Sequence, residues 1–233
     1  EAGFKVGIIA QPNWRTTDDF KKLGRPLLFF GITAGNMDSM VANYNANKRL
    51  RERDDYSPGG AAGLRPDRSI IVYANRIREV FGDIPIVIGG IEASLRRFAH
   101  YDWWDNSVRR SILIDSRADI LVYGMGEIQS VEIASRLNQK REITGIRGTA
   151  TIAKEISSLK GYEEIPSYEK VKNDRSKFNE AFKQIYSNQD YFEGKVLVQR
   201  HDTRYVIQFP PQPPLSTQQL DKIYELPYMR NWH

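Results

Sequence analysis

Four short apolar runs lie in the first half of the chain, and helix-like segments separate them. The runs are KVGIIA (5–10), PLLFFGI (26–32), IPIVI (84–88) and ILVY (120–123). A continuous apolar run of about four to eight residues is typical of a strand that is buried on both faces, as in a parallel sheet. We therefore predict four buried strands.

Between these runs, apolar residues recur at intervals of three and four positions, which is the period of an amphipathic helix. The clearest apolar face consists of Ile70, Ala74, Ile77 and Phe81. Gly82 is placed to end that helix, and Asn36 is predicted to cap an earlier one. The predicted helices span residues 18–23, 37–44, 66–81 and 127–138.

Strands that alternate with amphipathic helices indicate βαβ units with right-handed crossovers. The predicted fold is therefore α/β, with an open, doubly wound, mostly parallel sheet over residues 1–153. Residues 148–152 are expected to add an edge strand to this sheet.

The remainder, residues 154–233, has a different pattern. A polar helix is predicted over 168–189, a hairpin over 196–209, and a stiff extended spacer in PPQPP (210–214). We interpret this part as a helix, a β-hairpin and a linker to a domain outside the sequence. Both chain ends lack the usual start and stop signals, so we expect a fragment of a longer protein.

Composition narrows the function classes. No apolar run approaches the roughly 20 residues needed to span a bilayer, and no signal peptide opens the chain, so a cytoplasmic protein is expected. The absence of cysteine excludes thiolate catalysis and cysteine-bound zinc or iron–sulfur sites from the chain's own residues. The three histidines are far apart in sequence, and no metal ligand is predicted.

The formal net charge is +5, and the densest basic run covers residues 48–53. Asp54 and Asp55 follow this run at once. Weak attraction to nucleic acid is compatible with such a run, but a solvated loop of mixed charge is the more ordinary explanation. Nucleic acid is therefore a weakly supported partner at this point.

Glycine-bearing turns follow the second, third and fourth predicted strands. Ligands of open α/β sheets bind beyond the carboxyl ends of the strands, and glycine lets backbone N–H groups approach a ligand closely. We predict a crevice lined by Gly31, Thr33, Asn36, Gly89, Gly90, Glu92, Gly124, Gly126 and Glu127. The alternative is that the glycines only turn the chain and that the glutamates cap helices.

These turns do not form a dinucleotide fingerprint, because Gln129 stands where the third glycine of G-x-G-x-x-G should be. Ser94 and the other nearby serines lack the context of a nucleophile elbow. A stand-alone dehydrogenase or hydrolase is therefore disfavoured, and no catalytic residue is predicted. For His100 we weigh an acid–base pair with Asp102 or Asp105 against a packing or hydrogen-bonding role.

The segment VIGGIEASLRRFAHYDWWDN (87–106) changes from a buried strand to a crowded polar and aromatic stretch. We expect packing in the core from Leu95, Phe98 and Trp103. We expect contacts with an absent domain from Arg96, Arg97, His100 and Trp104. Aromatic residues beside arginines suit such an interface.

Long motifs of this sequence resemble the N-terminal domain of YgiQ-type radical SAM proteins. The motifs are VGIIAQPNW (6–14), GITAGNMDSMVANY (31–44), RDDYSPGGAAGLRPDRSIIVYAN (53–75), VIGGIEASLRRFAHYDWWDNSVRRSILIDSRADILVYGMGE (87–127) and YVIQFPPQPPLS (205–216). Together they cover nearly the whole chain.

The resemblance implies a Rossmann-like domain, similar in layout to cobalamin-binding domains, that precedes a radical SAM barrel of the same protein. It implies a [4Fe-4S] cluster and S-adenosylmethionine in the parent protein, bound by the barrel and not by this chain. It also implies a first strand and helix before Glu1. The axial histidine of cobalamin-binding domains lies in that upstream loop, so cobalamin gains no ligand here and stays a doubtful cofactor.

These expectations lead to a main function and one alternative. In the first, the chain is an accessory domain that covers the barrel and shapes a substrate or cofactor pocket, while the barrel performs the chemistry on an unknown substrate. In the alternative, the chain is an interaction module without a small-molecule site. The region of Trp103 and Trp104 would then dock the barrel, a partner protein or RNA.

Overall fold

The computed structural model describes residues 2–229 and shows an α/β fold. The strands are β1 (Phe30–Thr33), β2 (Ile86–Gly89), β3 (His100–Asp102), β4 (Ser107–Arg109), β5 (Ile120–Val122), β6 (Thr149–Ala153), β7 (Tyr162–Ile165), β8 (Val196–His201) and β9 (Arg204–Gln208). The α-helices are α1 (Asp18–Lys21), α2 (Ser39–Asn43), α3 (Ser69–Phe81), α4 (Gly90–Leu95), α5 (Ile112–Ser116), α6 (Glu127–Asn138), α7 (Tyr168–Asn173), α8 (Arg175–Ser187) and α9 (Thr217–Tyr224). A short 3₁₀ helix spans Pro58–Gly60.

Seven of the strands form one sheet in the order β1-β2-β5-β6-β9-β8-β7. β2 is parallel to both β1 and β5, and β7 is parallel to β8. β6 is antiparallel to β5 and β9, and β8 is antiparallel to β9. β3 and β4 form a separate antiparallel ribbon. The predicted open, Rossmann-like α/β sheet is confirmed, and the region that bears the predicted crevice is its parallel part.

Helices cover both faces of the parallel part, as a doubly wound sheet requires. Ile86 of β2 belongs to an apolar core that also contains Ile70 of α3 and Leu113 of α5. The next residue, Val87, belongs to a second core with Ile133 of α6. Successive side chains of a strand point to opposite faces. Because an apolar core covers each face here, β2 is apolar at every position in its centre.

Two helices agree closely with their predictions. α3 ends at Phe81, where the backbone N–H of Gly82 donates to the carbonyl of Arg78 at 3.0 Å. α6 spans the predicted residues 127–138. Both segments are long enough for the 3.6-residue period to be distinct, and this is the primary local signal for a helix.

The first predicted strand is wrong. Residues 5–10 adopt no regular secondary structure, and Val6 and Ile8 are 81 % and 76 % exposed. A buried strand needs hydrogen-bonded neighbours for its backbone, and within residues 2–229 this segment pairs with no strand. β1 is consequently an edge of the described sheet.

The second predicted strand and the helix after it are shifted. β1 begins at Phe30 rather than at residue 26. The N-cap of α2 is Asp38 and not Asn36, because the Asp38 carboxylate accepts hydrogen bonds from the backbone N–H groups of Met40 and Val41 at 2.9 and 3.4 Å. Aspartate next to the first turn satisfies donors that a more distant asparagine does not reach.

The C-terminal part is continuous with the main sheet. The edge strand expected at 148–152 is β6, which lies in the middle of the sheet between β5 and β9. The predicted hairpin is confirmed as β8 and β9, but β9 pairs with β6, so the sheet crosses the predicted domain boundary after residue 153. The last residues of the predicted linker, 230–233, lie outside the described residues, as does Glu1.

The helix expected over 168–189 is divided in two. The backbone of Asp174 is extended, with φ −137° and ψ 115°, and this residue ends α7. The Asp174 side chain then accepts a hydrogen bond from the N–H of Ser176 at 2.7 Å and caps α8. Within residues 2–229, no helix combines the length and the apolar composition needed to cross a membrane.

Candidate functional site

The carboxyl ends of β1, β2 and β5 meet at one edge of the sheet. Thr33 at the end of β1 is paired with Gly89 at the end of β2. A Cβ atom on Gly89 would lie 3.4 Å from the carbonyl oxygen of Val122, the last residue of β5. The turns that follow these three strands are therefore close neighbours.

Gly90 opens the turn after β2, and its position requires glycine. Its φ is +81°, and a Cβ atom would lie 2.5 Å from Oγ1 of Thr33. The left-handed backbone and the close approach both exclude a larger side chain without rearrangement. Thr33 Oγ1 in turn accepts a hydrogen bond from the N–H of Gly35 at 3.2 Å. The first and second turns are thus in direct contact.

Ser94 connects the second turn to the third. Its hydroxyl donates to the carbonyl of Gly90 at 2.8 Å and accepts from the N–H of Gly124 at 3.4 Å. The φ of Gly124 is +71°, so the chain can turn directly after β5. We had weighed Ser94 only as a nucleophile, so this connecting role was not predicted. Its spacing of four residues from Gly90 was the available signal, since serine in a helix can donate to the carbonyl at that distance.

Glu92 lies beneath the crevice rather than at its surface. Its side chain is fully buried, and the carboxylate accepts hydrogen bonds from the N–H groups of Ser39 at 2.9 Å and Ile70 at 3.1 Å. These groups belong to the first turns of α2 and α3, where donors lack partners within the helix. Glu92 therefore has the capping role that we named as the alternative, although it caps neighbouring helices and not its own.

The other predicted residues lie around this centre. Gly31 is inside β1, paired with Val87, and does not belong to the turn. Asn36 is exposed, and Glu127 begins α6 directly after the N-cap residue Gly126. A contact of any of the nine predicted crevice residues with a ligand stays a prediction.

Arg97 is a largely buried cation beside the third turn. Its Nε donates to Gln208 at 2.5 Å, and its Nη1 donates to the carbonyl of Ser94 at 2.6 Å. The guanidinium lies 5.1 Å from the ring centre of Tyr123. Burial lowers the pKa of Arg97, and no carboxylate of the described residues counteracts this effect. An anionic group at this position would be favourable.

Three exposed apolar side chains accompany the crevice. Ile91 and Leu95 of α4 are 51 % and 67 % exposed, and Met125 of the third turn is 68 % exposed. Ile91 and Leu95 are four residues apart, so they share one face of the helix. A group of exposed apolar side chains at a sheet edge is typical of a surface that another part of a protein covers.

The segment 87–106 is arranged differently from our expectation. Leu95 and Trp103 were expected to pack, but both are at least half exposed. Arg96 was expected to face outward, but it is buried and forms an ion pair with Asp38, the N-cap of α2. Arg96 can be buried because Asp38, from a distant part of the chain, neutralises its charge.

His100 has a packing role in this structure. Phe98 is buried as predicted, and its carbonyl forms a hydrogen bond with Nδ1 of His100 at 3.1 Å. Burial lowers the pKa of His100 to about 4, so the ring is neutral near pH 7. Asp102 is held by Arg68, which donates to it from Nε and Nη2 at 3.0 and 2.9 Å. The geometry favours the packing role over an acid–base pair.

Tyr123 ties the third turn to the end of β9. Its hydroxyl donates to the carbonyl of Phe209, and burial raises the pKa of that hydroxyl, so it keeps its proton. Pro210 follows Phe209 in the chain, and its carbonyl accepts a hydrogen bond from the N–H of Gly148 at 2.8 Å. The proline-rich segment therefore starts at a fixed position beside the crevice.

Comparison with known proteins gives a consistent result. The sequence model of one family, described as Radical SAM N-terminal, matches residues 1–233. A UPF0313 protein of Clostridium botulinum (strain ATCC 19397 / Type A) is 58 % identical over 234 residues, which cover 99 % of this chain and 36 % of that protein. A UPF0313 protein of Clostridium perfringens (strain ATCC 13124) is 54 % identical over 238 residues, which cover 100 % of this chain and 36 % of that protein.

No solved structure matches the chain significantly. The chain spans little more than a third of the length of the curated relatives described above, at 36 %. The family match, in contrast, extends over the whole chain. The chain therefore belongs to the Radical SAM N-terminal family.

Proposed function

We propose that this chain is an accessory domain of a longer radical SAM enzyme. It covers the catalytic domain of the same protein, and its glycine-bearing turns line part of a pocket for a substrate or cofactor. The observation that carries this proposal is the meeting of three strand ends at one sheet edge, with exposed apolar side chains beside them. The greater length of the relatives is consistent with a covering domain.

The apolar side chains supply a reason for the two parts to associate. Ile91, Leu95 and Met125 are each more than half exposed. Covering an apolar side chain of this size fully contributes about 1.5–3 kcal/mol. Each of these side chains is already partly buried, so covering it contributes a part of this value and favours an arrangement in which the linked catalytic domain faces the turns.

The polar groups of the crevice indicate the kind of ligand. Arg97 has only neutral partners within the described residues, which are Gln208, the carbonyl of Ser94 and the ring of Tyr123. Glu92, which would repel an anion at the surface, is buried and occupied by two backbone donors. A substrate or cofactor with a carboxylate or phosphate group is therefore the best match for this crevice.

The cluster chemistry belongs to the rest of the protein in this proposal. A [4Fe-4S] cluster is held by cysteine thiolates, and the chain contains no cysteine. Within residues 2–229, no group of three or more histidine, aspartate or glutamate side chains is placed to hold a metal ion. The residues of this chain thus do not fit the cluster, and S-adenosylmethionine cleavage is assigned to the catalytic domain.

The proposal is tested with Leu95→Asp in the full-length protein, prepared without oxygen. A charge at this position should oppose covering of the crevice. We expect faster protease cleavage between this domain and the remainder, and slower formation of 5′-deoxyadenosine from S-adenosylmethionine. The matched control is Phe182→Asp, because Phe182 is 62 % exposed on α8, which lies near β7 at the other end of the sheet.

The control should behave like the unmodified protein in both assays. Unfolding midpoints of both variants show whether either substitution acts only through the stability of the domain. Equal cleavage and equal 5′-deoxyadenosine formation in Leu95→Asp and Phe182→Asp would contradict the proposal.

A further inference from the structure

A groove with aromatic walls lies between α2 and the turn of the β3–β4 ribbon, and its cavity has a volume of about 360 Å³. We call it the aromatic groove, and it is lined by Val41, Tyr44, Asn45, Ala46, Arg51, Trp103 and Trp104. α2 follows β1, and the ribbon follows β2 and α4. The groove is thus built by loops from the same sheet edge as the candidate site, but it shares no lining residue with the three turns.

Trp103 offers an open aromatic face in this groove. It is 50 % exposed, and Nζ of Lys48 lies 5.0 Å from its ring centre. The rings of Tyr44 and Trp104, which also line the groove, are 6.3 Å apart. The Nε1 donor of Trp104 is buried and has no acceptor among residues 2–229. An indole face beside a cation is the kind of surface on which unpaired bases stack.

The cations around the groove are not paired directly with a carboxylate in the described part of the chain. Lys48, Arg49 and Arg51 form no ion pair there, and Asp54 and Asp55, which follow them, are paired with other arginines. The lining of the groove includes no acidic side chain. Uncompensated positive charge is complementary to a phosphate backbone.

A second cavity of about 540 Å³ adjoins the aromatic groove and shares Arg51 with it. Its wall includes Trp14, whose Nε1 is a further buried donor without an acceptor among residues 2–229. Arg51 stands between the cavities, where its Nε donates to the carbonyls of Val41 and Tyr44 at 3.1 Å each.

We propose that the aromatic groove binds single-stranded RNA, with one base on Trp103 and phosphates at Lys48 and Arg51. The second cavity also has Asp54 and Asp67 in its wall, so the proposed phosphate contacts are confined to the aromatic groove and to Arg51 at its border. A protein interface has few unpaired charges at its core, whereas Lys48 and Arg51 have carbonyl acceptors but no ionic partner among the described residues. We favour RNA over DNA because proteins recognise RNA mainly through loops and ends whose bases are unstacked and accessible.

This proposal adds a partner to the proposed function but does not depend on it. RNA binding can be measured without S-adenosylmethionine or 5′-deoxyadenosine formation. The Leu95→Asp test probes the sheet edge, and the RNA test probes the groove. A negative result in one test therefore does not affect the conclusion drawn from the other.

The test uses a short, fluorescently labelled, unstructured RNA of alternating cytidine and adenosine. The full-length protein is added in steps, and fluorescence anisotropy measures the affinity. Trp103→Ala should weaken binding roughly tenfold, because one base loses its stacking partner. Trp103→Phe should retain most of the affinity. The control Phe192→Ala, which removes an aromatic side chain that is 78 % exposed outside the groove, should leave the affinity unchanged.

The charge contribution is tested through salt dependence. Lys48→Gln should reduce the slope of log affinity against log salt by about 0.7, the value for one phosphate contact with a single strand. Lys183→Gln on the exposed side of α8 is the control and should not change the slope. An affinity of Trp103→Ala equal to that of the unmodified protein would overturn the proposal.

Three further outcomes would also overturn it. The first is tighter binding of DNA of the same sequence than of RNA. The second is displacement of the RNA by AMP at an equal nucleotide concentration. The third is a protein partner that loses its binding in Trp103→Ala while the protein shows no affinity for RNA.

Discussion

The carboxylate of Glu92 accepts a hydrogen bond from the backbone N–H of Ser39, at 2.9 Å in the interior of the protein. Its second oxygen accepts from the N–H of Ile70 at 3.1 Å. One acidic side chain thus joins the first turns of α2 and α3 to the turn after β2. The crevice is built on this connection, because both helices start at the edge where the strand ends meet.

Glu92→Gln should destabilise the folded protein by about 1–3 kcal/mol, because an amide N–H₂ would face one of two buried donors. Glu92→Ala should cost more, since both donors would then lack a partner. Urea unfolding measures the free energy of both variants. The control Glu127→Gln is partly exposed at the start of α6 and should change stability by less than about 0.5 kcal/mol. A loss of the same size at Glu127 would show that the two buried donors are not the cause.

Gly90→Ala should destabilise the turn after β2 for two reasons. The left-handed backbone costs about 1–2 kcal/mol with a Cβ atom present, and the added methyl would meet Oγ1 of Thr33 at 2.5 Å. Gly35→Ala is the matched control, because its φ is +91° and the space around it is open. Urea unfolding should show a larger loss for Gly90→Ala, and Thr33→Ala should recover part of it. Equal losses at both glycines would mean that the close approach to Thr33 is not important.

The stability of the protein should decrease at acidic pH through His201. This side chain is 3 % exposed and stacks on Tyr168 with ring centres 5.4 Å apart. Burial lowers its pKa to about 4, whereas in the unfolded chain it is about 6.5. Between these values the unfolded state binds the proton and the folded state does not. The contribution of His201 is therefore complete above about pH 6.5 and is lost as the pH falls toward 4.

His201→Phe removes the titrating group and keeps an aromatic ring against Tyr168. Urea unfolding near pH 7.5 and near pH 5 should show a smaller pH-dependent loss in this variant, by about 2 kcal/mol. His100, which has a similarly lowered pKa, is present in both proteins and contributes equally. The same pH-dependent loss in both proteins would exclude His201 as its source.

The free side of β1 leads to a prediction about the longer protein. Phe30 donates its N–H toward β2, to the carbonyl of Pro85, and N–H groups alternate in direction along a strand. The N–H groups of Gly31 and Thr33 therefore face the side without a neighbour in the described sheet. The strand implied upstream of Glu1 would protect them.

Hydrogen exchange at Gly31 and Thr33 should accordingly be about tenfold slower, or more, in the full-length protein than in this chain alone. Ile32, whose N–H points toward β2, should be protected in both and serves as the internal reference. Equally fast exchange of Gly31 in the two proteins would exclude an upstream strand on this side.

The sequence was sufficient to predict the helices and strands whose formation depends on a local pattern of apolar residues. α3 and α6 have long amphipathic patterns, and β2 and β5 have unbroken apolar centres. It was not sufficient for residues 5–10, which are largely apolar but have no paired neighbour in the described chain. Strand formation depends on a partner, and a local pattern does not contain that information.

The candidate site shows the same limit. The three turns could be predicted because glycine follows each strand. The burial of Arg96 and Arg97 could not, because their partners Asp38 and Gln208 are 58 and 111 residues away in sequence. Leu95 has apolar character that suggests a core position, but its helix of six residues is too short for a distinct period.

The hydrogen bond from Tyr123 to Phe209 helps to fix the point at which the polypeptide leaves the sheet. The proline-rich residues 210–214 follow directly, and such segments behave as semi-rigid spacers rather than as free tethers. A domain attached through this spacer would sample a restricted set of orientations. Its effective concentration at the crevice would be high before any interface forms. The contacts of Tyr123 would thus reduce the entropic cost of covering the crevice.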